Sequence, residues 1–168
     1  LAHQLVALAA RIPGIGLERA YAIGVVGSAV LLTCGVHSLS AALGENRVTG
    51  WASLFAAVSP AVYLFLFPLG QYPFVLACAL ALWAGAQGFR WAAHPTALKA
   101  CAYVGLSSAA LCTHPVALLL LLFTAVLTAV HVTPMYRGFL WVAAALMLSG
   151  LLAALALMPW VSDVLGGH

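Results

Sequence analysis

The sequence predicts an all-α protein: a polytopic membrane bundle of about six transmembrane helices, preceded by a short interfacial amphipathic helix. The first reason is composition, because 65% of the 168 residues are hydrophobic and 5% are charged, whereas soluble domains carry roughly 25% charged residues. The second reason is that the apolar residues form continuous runs, several of them near the ~20 residues that cross a bilayer. They do not alternate as in a membrane β-barrel. Lipid is therefore the solvent that we expect for most of the chain.

The same composition excludes several classes of protein. Nine formal charges cannot hydrate a soluble enzyme of this length. The net charge of +3 comes from separated residues and does not form the basic face that nucleic-acid binding needs, so we expect no nucleic-acid partner. The four cysteines lie in apolar stretches without a CxxC pair, which predicts small buried side chains. We therefore predict neither a metal site nor a cofactor.

Residues 1–19 form the first predicted unit, an interfacial amphipathic helix followed by a turn. At 100° per residue, four apolar side chains fall on one face: Leu1, Leu5, Leu8 and Ile12. His3, Gln4 and Arg11 fall on the opposite face. A short helix with this polarity is typical of one that lies along the membrane surface, although packing on a partner domain would need the same pattern.

Residues 20–160 form the second unit, the transmembrane bundle, and residues 161–168 form a short polar tail. Prolines, glycines and charged residues separate six apolar segments. The predicted spans are Ala20–Leu43 (span A), Gly50–Leu69 (span B), Tyr72–Phe89 (span C), Ala97–Thr113 (span D), Pro115–His131 (span E) and Gly138–Trp160 (span F). Because nineteen residues precede span A, we expect a piece of a longer polytopic chain.

The distribution of basic residues predicts the orientation. If the spans alternate, Arg47, Arg90 and Arg137 share one face with Lys99, whereas the opposite face has only Arg11 and Arg19. The positive-inside rule therefore makes the Arg47, Arg90 and Arg137 side cytoplasmic. We expect an integral protein of a bacterial inner membrane.

Small residues at four-residue spacing predict how the spans pack, because such residues let helices approach closely in lipid. The stripes are Gly24 and Ser28 in span A; Ala77, Ala81 and Gly85 in span C; Cys101, Gly105 and Ala109 in span D; and Ala145, Ser149 and Ala153 in span F. Span E has bulky residues on all sides, which predicts that it faces lipid.

The middles of the spans contain no carboxylate, which disfavours an ion-coupled transporter. Of the six histidines, only His37 and His131 stand at depths where two axial ligands of a haem could face one another. A histidine hydrogen-bonded to a neighbouring helix is the simpler interpretation.

The predicted substrate-binding residues are Gln71, Tyr72 and His114. Gln71 and Tyr72 belong to the turn between spans B and C, and His114 to the turn between spans D and E, which lies on the same extracytoplasmic face. Their side chains can form hydrogen bonds with a lipid phosphate or a sugar hydroxyl. The alternative is that both turns are purely structural, with Tyr72 in the aromatic belt of the membrane.

These two turns also carry a family resemblance. Gly70-Gln71-Tyr72-Pro73 before a helix of small residues, and Thr113-His114-Pro115 before a leucine-rich helix, resemble the middle portion of GT-C-type membrane glycosyltransferases. Within that family, the two turns resemble those of the polyprenyl-phosphate-sugar-dependent mannosyl- and arabinosyltransferases of bacteria. The amphipathic helix before span A is similar to the interfacial helices that the family places on its extracytoplasmic side. The resemblance implies a scaffold that handles lipid-linked sugar at the extracytoplasmic face.

One departure from that family concerns catalysis. The family's catalytic Asp or Glu lies in the first extracytoplasmic loop, after a first span, and this sequence has no carboxylate in a matching place. Glu18 follows the interfacial helix instead. We therefore assign no catalytic residue and expect the scaffold without its catalytic loop. The alternative function is a non-catalytic integral membrane subunit of a larger respiratory or photosynthetic complex.

Overall fold

A computed structural model describes residues 2–44, 52–53, 55–56, 59, 71–131 and 136–165, without the side chains of residues 131–141 and 159–165. Within these residues all regular structure is α-helical, as predicted. The helices are α1 (Ala2–Ala9), α2 (Leu17–Ala42), α3 (Tyr72–Ala93), α4 (Ala97–Thr113), α5 (Ala117–His131) and α6 (Tyr136–Leu165). Span B, predicted at Gly50–Leu69, lies almost entirely outside the described residues.

Two of the described helices, α2 and α3, are long and apolar enough to cross a membrane, with 26 and 22 residues. Shorter apolar helices cover Ala97–Thr113, Ala117–Val130 and Val142–Met158. A helix of 17 residues, such as α4, is about 25 Å long, less than the roughly 30 Å of a hydrocarbon core. The described residues thus contain two candidate spans, and the six-span arrangement stays a prediction.

The predicted boundaries are close to those of the structure, and the main differences are at helix ends. α4 has the predicted bounds of span D, but α3 continues four residues beyond Phe89 to Ala93. α6 begins at Tyr136 and continues to Leu165, so most of the predicted polar tail is helical.

Contacts between the helices define two ends of the bundle. α2 and α3 run in the same direction, because Gly24 lies next to Tyr72 near their beginnings and Ser38 bonds to Arg90 near their ends. α4 returns antiparallel to α3, since Tyr103 lies beside Gly88 and His114 beside Phe74. α6 runs parallel to α4. We name the end that holds α1 and the first turns of α2 and α3 the α1 end, and the opposite end the Arg90 end.

α3 is the central helix, and its small residues make the closest contacts. Ala77 and Ala81 are completely buried. A Cβ atom on Gly85 would lie 2.6 Å from Thr124 Cγ2, so the absence of a side chain lets α3 and α5 touch. These observations confirm the stripe predicted for span C. The stripe predicted for span F is also confirmed, since Ala145, Ser149 and Ala153 are buried.

The stripe predicted for span D is wrong. Cys101 and Gly105 are exposed, and α4 instead buries Tyr103, Ser107 and Ala110. Tyr103 packs over Gly88, where an added Cβ atom would come within 3.1 Å of the tyrosine ring. Burying this large ring outweighs close approach through small residues, because aromatic side chains contribute the largest buried area. Cys34 is exposed like Cys101, so the expectation that all four cysteines are buried is also wrong.

One side of α5 is exposed, as the prediction for span E requires, and the other side is buried. Leu119 and Phe123 are 67% and 58% exposed, whereas Leu121 and Thr124 are buried in the core. A helix of bulky residues can still bury one face when a neighbour supplies glycine, and Gly85 of α3 does so here.

Candidate functional site

The structure places one predicted site residue, Tyr72, at a junction of three helices. Tyr72 begins α3 and is only 2% exposed. Its hydroxyl forms a 2.8 Å hydrogen bond with Nδ1 of His3 in α1. The rings of His3 and Tyr21 both stand edge-on to the Tyr72 ring, with centroids 5.3 Å away. Tyr72 therefore ties α1 and the first turns of α2 to the beginning of α3.

Local sequence explains why α3 begins here and why the helices approach so closely. Pro73 stands in the first turn of α3, where a missing N–H and a fixed φ favour the start of a helix. Gly24 of α2 leaves the required space, since an added Cβ atom would lie 3.1 Å from Val6 and 3.8 Å from the Tyr72 ring. A larger residue at position 24 would push α1 and α3 away from α2.

An open groove of about 450 Å³ lies beside Tyr72 at the α1 end, and we call it the α1 groove. Its lining combines apolar side chains with four polar ones. The lining residues are His3, Val6, Ala7, Leu17, Glu18, Tyr21 and Tyr72. The surface of the groove is almost entirely apolar, so it suits the hydrocarbon part of a ligand, and the few polar atoms beside it can form hydrogen bonds.

Glu18 gives the α1 groove its negative charge. It stands in the first turn of α2, where a carboxylate interacts favourably with the helix dipole. Of the three acidic residues in the sequence, Glu18 is the one whose side chain the structure describes. The next residue, Arg19, turns away and donates from Nη1 to the Gly14 carbonyl at 3.1 Å. Gly14 has a φ of +86°, which glycine adopts readily, so this bond stabilises a turn suited to that position.

His114 lies at the same end of the bundle but in different surroundings. Its Nδ1 accepts a hydrogen bond from the Val116 N–H at 3.2 Å, which places the proton of a neutral ring on Nε2. The His114 ring stands edge-on to Phe74, with centroids 5.7 Å apart. Since Phe74 follows Tyr72 by two residues, their side chains leave α3 about 200° apart. Tyr72 and His114 thus lie on opposite sides of α3.

Gln71 is exposed and immediately precedes α3. Its carbonyl accepts the first helical hydrogen bond, from Val75 N at 3.2 Å, while its side chain makes no capping bond. Of the three residues predicted to bind substrate, Tyr72 alone lines the α1 groove; Gln71 and His114 are not among its lining residues. All three lie at the α1 end of the described bundle.

Sequence reasoning missed His3, Glu18 and Tyr21 as partners of Tyr72. The spacing of Glu18 and Tyr21 places both on one face of α2, a signal that was present in the sequence. His3 carried no comparable signal, because its contact with Tyr72 joins residues 69 positions apart. We found no local pattern that predicts such a contact.

The described residues contain no group of three histidines, cysteines or carboxylates placed to hold a metal ion. Nδ1 of His37 lies 3.2 Å from Ser53 Oγ, which agrees with the simpler interpretation of that histidine as a hydrogen-bonding residue. The side chain of His131 lies outside the described part of the chain.

The chain was compared in turn with family models, curated proteins and solved structures. None of the three comparisons finds a match to the chain.

Proposed function

We propose that this chain is a membrane-embedded scaffold of about six spans, similar to GT-C glycosyltransferases, that handles lipid-linked sugar in the α1 groove. The α1 groove faces the extracytoplasmic side, and the Arg90 end faces the cytoplasm. The observation that carries the proposal is the groove itself, whose lining includes Glu18 and the hydrogen-bonded pair of His3 and Tyr72 among apolar side chains.

The chemistry of a polyprenyl-phosphate sugar matches the two parts of the groove. Val6, Ala7 and Leu17 offer apolar surface to the first isoprene units. The carboxylate of Glu18 accepts hydrogen bonds from sugar hydroxyls, as carboxylates do in charge-assisted pairs. The bond between His3 and Tyr72 holds both rings in place before the ligand arrives, which lowers the entropic cost of binding.

Membrane insertion rests on separate observations. α2 and α3 have the length and composition of spans. Large apolar side chains cover their outward faces and those of their neighbours, including Ile23, Val26, Leu119 and Met147. Water would destabilise such a surface, whereas lipid solvates it. α1 adds exposed Leu5 and Leu8, which suit a helix resting on the bilayer surface.

The proposal is tested by binding of a polyprenyl-phosphate mannose to the full chain in nanodiscs. Glu18→Gln keeps the shape of the side chain but removes its charge. Loss of a charged hydrogen bond costs about 1.5–3 kcal/mol, so we expect roughly ten- to hundredfold weaker binding. Glu45→Gln, the same change after α2, is the matched control and leaves affinity unchanged.

Two results would contradict the α1 groove as the site. If Glu18→Gln binds like the wild type while His114→Ala binds more weakly, the ligand occupies the turn between α4 and α5. If the wild-type chain does not bind the lipid-linked sugar, the function as a glycosyltransferase-like scaffold is wrong.

One observation favours the second candidate, a non-catalytic subunit of a larger membrane complex. Cys101 and Gly105 of α4 form a small-residue surface that is exposed in the described part of the chain, and an added Cβ atom on Gly105 would contact nothing within 4 Å. Such surfaces support helix packing in lipid. If Gly105→Leu releases the chain from a native complex in mild detergent, this second function is supported.

A further inference from the structure

A second open cavity, of about 480 Å³, lies at the Arg90 end, far from the α1 groove. The ends of α2 and α3 and the first turn of α4 enclose it. We call it the Arg90 pocket, and its lining residues are Ala41, Ala42, Leu43, Phe89, Arg90, Ala93, His94 and Lys99. Two permanent cations and a histidine therefore share one cavity with apolar walls.

Hydrogen bonds hold both cations in position. Nη2 of Arg90 donates to Ser38 Oγ at 3.2 Å, which links α3 to α2. Nζ of Lys99 donates to the carbonyls of Arg90 and His94 at 3.2 and 2.9 Å, which closes the turn between α3 and α4. An ammonium group has three donors and a guanidinium has five, so each side chain keeps donors that a ligand can use.

The described lining of the pocket contains two basic side chains and no carboxylate. Glu18, the one acidic residue whose side chain the structure describes, lies at the opposite end of the bundle, in the α1 groove. Arg90 and Lys99 are half-buried, so their attraction for an anion is screened less than that of fully exposed cations. Fixed, partly buried cations beside spare donors favour an anion with several acceptor oxygens, and phosphate has this chemistry.

We propose that the Arg90 pocket binds a phosphate group, supplied by the headgroup of an anionic phospholipid. The pocket stands where α2 and α3, the two helices of membrane length, end together, which is the level of the headgroups. Leu43 and Phe89 offer apolar surface next to the cations, where a glycerol backbone and the first methylene groups would lie. Basic pockets between membrane helices bind such headgroups elsewhere.

This site is separate from the α1 groove. It rests on the proposed function in one respect only, which is that the chain is inserted in a membrane. A lipid bound here joins the ends of α2, α3 and α4, and it orders the Arg90 end without contacting the α1 groove. Failure of one site therefore leaves the other intact, and each has its own ligand and its own variants.

The test compares retention of two lipids by the full chain, purified in detergent and offered equal amounts of phosphatidylglycerol and phosphatidylcholine. We expect the wild type to retain phosphatidylglycerol in preference. Arg90→Gln and Lys99→Gln should each reduce that preference about fivefold, the effect of roughly 1 kcal/mol per cation at a membrane surface. Arg11→Gln removes one exposed cation from the α1 end and should change nothing.

A second arm identifies the source of the phosphate. Thermal unfolding of the lipid-free chain is followed with millimolar inorganic phosphate or with added phosphatidylglycerol. If the unfolding temperature rises with the lipid alone, the site binds a headgroup. If it rises with both additions, the site binds phosphate in general. In either case the rise should be absent in Arg90→Gln. Lys99→Arg, which keeps the charge, controls for damage to the α3–α4 turn.

Three results would overturn the proposal: equal retention of the two lipids together with no effect of phosphate, an equal loss in Arg11→Gln, or a preference that does not fall as ionic strength rises. The last measurement uses the wild-type chain, so it decides the matter even if the glutamine variants do not fold.

Discussion

Replacing Gly85 by alanine tests the closest contact in the bundle. The new Cβ atom would lie 2.6 Å from Cγ2 and 2.8 Å from Cβ of Thr124, distances at which the helices must move apart. Overpacking of this kind costs about 1–3 kcal/mol, while replacing glycine by alanine inside a helix returns about 0.5–1 kcal/mol. Gly105→Ala is the matched control, because its Cβ atom meets nothing within 4 Å and only the favourable term applies.

The two variants should therefore differ in stability by about 1–3 kcal/mol, the cost of the contact alone. In a chain of this length that difference corresponds to roughly 2–12 °C in unfolding temperature. The assay is thermal unfolding in one detergent, followed by tryptophan fluorescence. The reasoning is refuted if Gly85→Ala gains as much stability as Gly105→Ala, since α3 and α5 would then not touch at Gly85.

Three further predictions concern the tyrosines, the topology and α1. Tyr72→Phe should lose about 0.5–1.5 kcal/mol of stability with its bond to His3. Tyr103→Phe should lose less than Tyr72→Phe in the same unfolding assay, because its buried hydroxyl faces the Ser107 hydroxyl without a well-formed hydrogen bond. Cysteines placed at Gln71 and Ala93, in a background without the native cysteines, should react with impermeant reagents from opposite sides of the membrane; labelling of both from one side contradicts the topology. If α1 rests on the bilayer, a spin label at Leu8 should be relaxed more strongly by a lipid-soluble paramagnetic agent than by a water-soluble one.

The sequence predicted best what depends on local pattern. The bounds of α4 follow from Pro95 and Thr96 before it and Pro115 after it, since these residues start and stop a helix. Small residues at four-residue spacing predicted the Gly85 stripe of α3 correctly, although the same rule was wrong for α4. These features depend on residues close together in the chain.

The sequence did not predict which face of each helix is buried, because that depends on how the helix is rotated about its axis. Nor did it predict contacts between residues far apart in the chain. α4 contains a small-residue stripe and an aromatic face, and the sequence alone does not decide which one a neighbour covers. Gly88 of α3 receives Tyr103, and that contact decides it. The α1 groove has the same origin, because Tyr72 could be identified while His3, its partner from α1, could not.

The most direct test of the central claim is photocrosslinking with a polyprenyl-phosphate sugar that carries a photoreactive group on the sugar. The full chain in nanodiscs is irradiated, and the labelled peptides are identified by mass spectrometry. The α1 groove predicts labels on α1 and on the first turns of α2 and α3, at residues such as His3, Glu18 and Tyr21, with loss of label in Glu18→Gln. Labels confined to the His114 turn, or an even distribution over the exposed side of α5, would contradict it.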